Sequence, residues 1–338
     1  MCSQWSLTWE PDRLSRVMDD LRLRVATIDD LLTIADLAAV HDPDEPPDPE
    51  MLRLSWEAPP AGETIVRMLG QENHTTLGYL AAGHGPWIDH EGRFGWIRTI
   101  LPLEHWTESR FLHLVRGAED WQRTEGTTTA VARMRERFGL EIAIYKGLGY
   151  SAVRNQRNWE LDLVSHREQL LAAVKNSRVS MKDLGIQLLT LDRETDPDAL
   201  KKIYDLAYES EKDVPTTVPI NVLEFDEWRR VWFDNPMIRE DRTWIARQGD
   251  AIVGISMIGF PPTRGAPSTW YTGTARSVRG RGIARALKYE TVAQAILVGA
   301  KRIRTSNDGE NAAILHLNAQ MGYEPIDTVV ELHRDICS

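Results

Sequence analysis

The 338-residue chain has two cysteines, Cys2 and Cys337, one near each end. Two thiols so placed make neither a disulfide framework nor a metal site by themselves, and a cytoplasmic protein is expected. No stretch approaches about 18 uninterrupted apolar residues, so no membrane span or membrane partner is expected. The first 20 residues carry acids and lack an apolar h-region, so no secretory signal is read there. The nine histidines show no H-x-x-x-H or comparable spacing, and no metal is expected. No Gly-Lys-Ser/Thr occurs, which excludes a P-loop.

Positive charge is also scarce. Lys and Arg number 40 against 50 Asp and Glu, a net charge of −10. Nucleic-acid binders carry a basic footprint, so no nucleic-acid partner is expected. The deficit is local. Residues 1–165 hold 17 basic and 26 acidic side chains (net −9), whereas residues 166–338 hold 23 and 24 (net −1). Much of the acidity lies in 42–50 (DPDEPPDPE), which reads as a solvated, proline-rich loop.

What is present is an α/β order, read twice. In the first half, strands are expected at 64–69, 74–82, 94–101, 127–132 and 158–163. Helices are expected at 109–123 and 138–148, and another, capped by Asp48-Pro49, runs through Trp56. In the second half, strands are expected at 186–191, 244–246, 251–258, 269–274, 302–306 and 328–333. Helices are expected at 198–208, 225–233, 282–298 and 311–321. Shifting the chain by 173 residues lays Thr99 on Thr272, Leu114 on Leu287, Gly126 on Gly299, Gly149 on Gly322 and Tyr150 on Tyr323. Self-similarity at half the length indicates a duplicated α/β domain.

Residues 270–288 (WYTGTARSVRGRGIARALK) run from a strand through a basic, glycine-containing turn into a helix. Gly280 and Gly282 permit a tight turn that exposes N–H groups at a helix start, a ready anion site. Arg276, Arg279, Arg281, Arg285 and Lys288 add positive charge, and a pyrophosphate is the natural guest. Two other readings compete: a dinucleotide fingerprint, which lacks its third glycine at Arg285, and a structural turn before a basic surface helix.

The pattern Arg279-Gly280-Arg281-Gly282-Ile283-Ala284 resembles the Arg/Gln-x-x-Gly-x-Gly/Ala signature of the GNAT superfamily of N-acyltransferases. Thr305-Ser306-Asn307, Asn311, Asn318 and Gly322-Tyr323 resemble that superfamily's following strand and helix. The resemblance covers about 186–335, and the tandem arrangement is similar to two-domain members such as mycothiol synthase. It implies two tandem GNAT-like domains, each an α/β unit with a mixed, mostly antiparallel splayed sheet flanked by helices. The expected divisions are an extension (1–20), a degenerate domain (21–165), a linker (166–185) and an acyl-CoA-binding domain (186–338). Acetyl-CoA or another acyl-CoA is the implied co-substrate. Thr272, Gly273 and Thr274 would meet its pantetheine arm, and Arg279, Gly280, Arg281, Gly282, Ile283 and Ala284 its pyrophosphate. Asn311 and Asn318 would stand near it; the alternative readings are a helix cap for the first and a surface position for the second. The acceptor would be a small-molecule or peptide amine.

The same shift lays the phosphate loop on 106–111 (WTESRF), which has no glycine and carries Glu108. One cofactor site per chain is therefore expected, in the second half. The family's usual tyrosine acid would stand at 318, where this chain has asparagine, and 267–287 hold no carboxylate. The remaining catalytic candidates are Tyr271, beside the pantetheine strand, and Glu209 and Asp213, with Glu211 between them. Trp228 and Trp270 read as either pocket walls or packing. A non-catalytic acyl-CoA-binding protein is the alternative that the missing tyrosine favours.

Overall fold

A computed structural model describes residues 21–86, 92–213, 216–219 and 222–337. The expected extension at 1–20, with Cys2, lies outside them. The first half runs β1 (Arg22–Val25), α1 (Leu31–His41), α2 (Pro49–Glu57), β2 (Thr64–Glu72), β3 (Thr75–His84), β4 (Phe94–Ile100), α3 (Glu108–Thr124), β5 (Thr129–Arg135), α4 (Gly139–Gly147) and β6 (Ser151–Asp162). Helix α5 (Arg167–Asp183) leads into the second half: β7 (Gln187–Thr190), α6 (Ala199–Glu211), α7 (Phe225–Phe233), β8 (Thr243–Gln248), β9 (Ala251–Gly259), β10 (Ser268–Thr274), α8 (Ile283–Leu297), β11 (Arg302–Asp308), α9 (Ala312–Met321) and β12 (Glu324–Asp335).

Local chemistry accounts for these elements. Helix α3 starts where the Thr107 side chain accepts from the Arg110 N–H, and it buries Phe111, Leu114, Val115, Ala118 and Trp121 at helical spacing. Helix α2 starts at Asp48, which accepts from Glu50 and Met51, with Pro49 in the first helical position. Helix α8 is buried on most sides, including Ala286, Leu287, Val292 and Ala295, because it lies between β9 and α5. Its buried Glu290 is held by Arg178 of α5 at 2.6 and 2.7 Å.

Among the described residues the twelve strands form one sheet, in the order β1-β2-β3-β4-β5-β12-β6-β11-β10-β9-β8-β7. Its parallel pairs are β4 with β5 and β10 with β11; the others are antiparallel. The halves exchange their last strands. β6 pairs with β11 of the second half, from Asp162↔Arg302 to Gln156↔Asp308. β12 pairs with β5 of the first half, from Asp335↔Thr129 to Val329↔Arg135. β6 and β12 then pair with each other at the centre. Partner strands thus carry both beyond their apolar stretches: β6 begins at Ser151 rather than 158, and β12 at Glu324 rather than 328.

The acidic loop is not simply solvated, contrary to the reading from its charge. Asp42 pairs with Arg135 at 3.0 Å and also with Arg137, and Glu45 pairs with Arg135 and, at 3.5 Å, with Arg304 of β11. Asp48 is buried and accepts from the Thr263 and Arg264 backbone N–H groups of the second half. Its carboxylates meet arginines and N–H donors across the junction, and for the buried Asp48 those donors offset the cost of burial.

Candidate active site

Strand β10 pairs with β9 along its length but meets β11 only at Ser268↔Arg304. Beyond that point the strands splay, and the edge of β10 facing β11 presents free backbone groups. A register shift between Thr269 and Tyr271 sets Trp270 in a bulge, 38% exposed. Thr272 Oγ1 lies 2.8 Å from Ser256 Oγ of β9. Gly273 is backed by Tyr271 and Ser210: a Cβ there would stand 2.6 Å from the Tyr271 hydroxyl and 2.9 Å from Ser210 Oγ. No larger residue fits without moving that pair.

Tyr271 and Ser210 are hydrogen-bonded through their hydroxyls, and the Trp232 ring meets the tyrosine edge-on at 4.8 Å. Burial pushes the Tyr271 hydroxyl up to about 12, so it is a neutral donor at physiological pH. The sequence reading missed Ser210. It continues the buried stripe Ile203, Leu206, Ala207 of α6, and a hydroxyl on that stripe was the available signal.

The turn after β10 has the geometry expected of an anion cradle. Gly280 and Gly282 have φ of +76° and +81°, left-handed values that disfavour side chains, and open space surrounds a notional Cβ on Gly280. Gly282 is the N-cap of α8, so the first N–H groups of that helix, at Ile283 and Ala284, have no partner one turn back. Arg276 and Arg279 stand beside the turn, and Asp213 binds both. A pyrophosphate fits this donor set, so Arg279 to Ala284 are the residues that would hold that part of an acyl-CoA.

The remaining predicted residues divide. Asn311 is the N-cap of α9, its Oδ1 accepting from the Ile314 N–H at 3.4 Å. Asn318 is fully buried rather than on the surface. Its Oδ1 accepts from Lys288 Nζ at 2.9 Å, and its Nδ2 donates to Asn307 Oδ1 at 2.6 Å. Lys288, read as one of the cations around the turn, is buried instead beside Asn318 and over the Tyr323 ring at 5.0 Å. Desolvation lowers its pKa to about 8. Trp228 lies in the core with Tyr204, Phe225 and Trp232.

The three acids also differ. The guanidinium groups of Arg276 and Arg279 hold the Asp213 carboxyl at about 2, which leaves it little basicity at neutral pH. Glu209 accepts from the Arg276 N–H at 3.4 Å. Burial raises the Glu211 pKa, and its charge is near enough to raise that of Tyr271. Among the described residues no group of three or more His, Cys, Asp or Glu could hold a metal ion, and no helix is long and apolar enough to cross a membrane.

A splayed parallel strand pair, a bulged strand and a glycine turn capping the next helix together define a GNAT-like α/β fold. Residues 200–323 match the acetyltransferase (GNAT) family model. The described residues have the tandem GNAT fold. A tandem GNAT protein from the clavulanic acid biosynthesis pathway superposes with a TM-score of 0.72 at 16% identity, over 94% of this chain and 98% of that one. A GCN5-related N-acetyltransferase from Sphaerobacter thermophilus superposes at 0.66 and 19% identity, over 95% and 97%. No curated protein sequence matches the chain.

Proposed function

We propose that the chain is an acyl-CoA-dependent N-acyltransferase, with acetyl-CoA as co-substrate and its active site in 186–338. The observation that carries this reading is the glycine turn 279–284 beside the free edge of β10. The bound thioester supplies the acyl group for direct attack by an amine. In this reading the β10 edge at 272–274 aligns the pantetheine arm, and an N–H near Thr274 polarises the thioester carbonyl. Tyr271 gives the leaving thiolate its proton. Glu211 takes the proton from the amine, and Glu209 and Asp213 hold Arg276 in place. Asn318 then serves as a strut between Lys288 and Asn307 rather than as a proton donor. At the equivalent position, 106–111, the first half has no glycine, and in this reading it is a degenerate copy.

The test is CoA release, followed with a thiol probe across a panel of amines, alongside CoA titration by calorimetry. Gly282→Glu abolishes CoA binding, and substitutions at Thr107 or Ser109 do not. Absence of CoA binding to the wild type overturns the proposal. The buried, doubly bonded Asn318 favours one alternative, a non-catalytic acyl-CoA-binding protein, which would bind CoA tightly and turn over none of the amines.

A further inference from the structure

A cavity of about 420 Å³ lies where β4 and β5 part, in the half that lacks the glycine turn. The two strands pair from Phe94↔Thr129 to Ile97↔Ala132 and then separate. Arg98 and Thr99 line one side of the opening. Tyr145 of α4 closes it from beneath, 1% exposed, with its hydroxyl 3.2 Å from Thr99 Oγ1. The exchanged strand β6 contributes Asn158, which is 7% exposed; its side chain hydrogen-bonds to no described residue. The rings of His41 and Phe138 stack at 4.5 Å along another wall, so the cavity has a flat aromatic face as well as buried hydroxyl and amide groups.

The charge has a definite sign. The lining acids Asp42 and Glu45 are both engaged by arginines, Asp42 by Arg135 and Arg137 and Glu45 by Arg135 and Arg304. The Arg98 guanidinium, on an exposed residue, makes no ion pair or side-chain hydrogen bond with any described residue. An available guanidinium at the mouth with neutral donors and acceptors beyond it selects an anion attached to a polar body. A CoA is a poor occupant. At the position of the glycine turn, Thr107 already caps α3, and Glu104 and Glu108 would repel a pyrophosphate.

We propose that this cavity is a second ligand site, for a small organic carboxylate with an amide or a flat ring in its body. Arg98 takes the carboxylate, Asn158 and the Tyr145–Thr99 pair take the amide, and the His41–Phe138 wall takes the ring. Because β6 and the lining residues of β11 come from both ends of the exchange, occupancy would clamp the two halves together. The proposal does not depend on catalysis by the second half.

The test is calorimetric titration of the full chain with hippurate, N-acetylphenylalanine and 3-phenylpropionate, with benzamide and inorganic phosphate as controls. At least one carboxylate is expected to bind with one site per chain, benzamide not to bind, and Arg98→Met to weaken that binding at least tenfold while leaving CoA affinity unchanged. Asn158→Asp, which sets a carboxylate against the ligand, gives the same loss by a second route. No carboxylate binding at millimolar concentration overturns the proposal. So does binding indifferent to both substitutions, binding abolished by Gly282→Glu, or phosphate binding as tight as that of the best carboxylate.

Discussion

The carboxylate of Asp48, in the first half, accepts the Thr263 backbone N–H of the second half at 2.7 Å, across 215 residues of sequence. The same side chain caps α2 and accepts from Thr263 Oγ1 and the Arg264 N–H. One buried group therefore both starts a helix and joins the halves. Asp48→Ala should destabilise the chain by about 2–4 kcal/mol, the loss of a cap together with charge-assisted bonds to buried donors. Chemical denaturation measures this, and a change within experimental error would mean that water replaces the carboxylate.

Glu141 gives stability a pH dependence of known sign. It is buried in α4, its Oε2 has no hydrogen-bond partner, and desolvation raises its pKa from 4.5 to about 8. A raised carboxyl pKa contributes stability that is complete below 4.5 and lost as pH rises through about 8. Glu141→Gln keeps the shape and removes the ionisation. Its melting temperature should match wild type near pH 4.5 and exceed it at pH 8; equal temperatures at both values would refute this assignment.

Tyr271→Phe removes one hydroxyl and retains the ring against Trp232. If Tyr271 protonates the thiolate, kcat falls about 10²-fold while the KM for acyl-CoA moves little. Steady-state kinetics separate the two parameters. An unchanged kcat would return the proton to water or to another side chain.

Asp213→Asn should strengthen CoA binding a few-fold at low salt. Asp213 neutralises Arg276 and Arg279 beside the proposed anion cradle, so its removal raises the local positive potential. Both partners are exposed, and the gain should shrink as ionic strength rises. Titrations at two salt concentrations decide this, and weaker binding would show that Asp213 orients the arginines.

The duplication was fully legible where the two copies share their length. Strands β5 and β11 begin at 129 and 302, helices α4 and α9 at 139 and 312, and strands β6 and β12 at 151 and 324, each pair 173 apart. The glycine turn was legible because Gly280 and Gly282 occupy backbone conformations that other residues resist. The strand exchange was not. β6 and β12 carry equivalent patterns, so either could satisfy either half, and the choice rests on long-range pairing. Lys288 was misread for a related reason: among four arginines a lysine looks solvated, and its burial depends on a partner 30 residues away at Asn318. The acids of 42–50 likewise find their partners at Arg135, Arg304 and Thr263, all far along the chain.

The exchange of β6 and β12 also bears on how this chain can be cut. A fragment starting at 186 would keep β12 but lose β6, the strand that covers β11 and pairs with β12 at the centre. It would expose the edge of β11 and hold a twelve-residue strand with its partners missing on both sides. Exposed edges of that kind recruit other chains. The first half is therefore a covalent chaperone for the second, and truncation is expected to yield intertwined dimers or aggregate rather than a folded single domain.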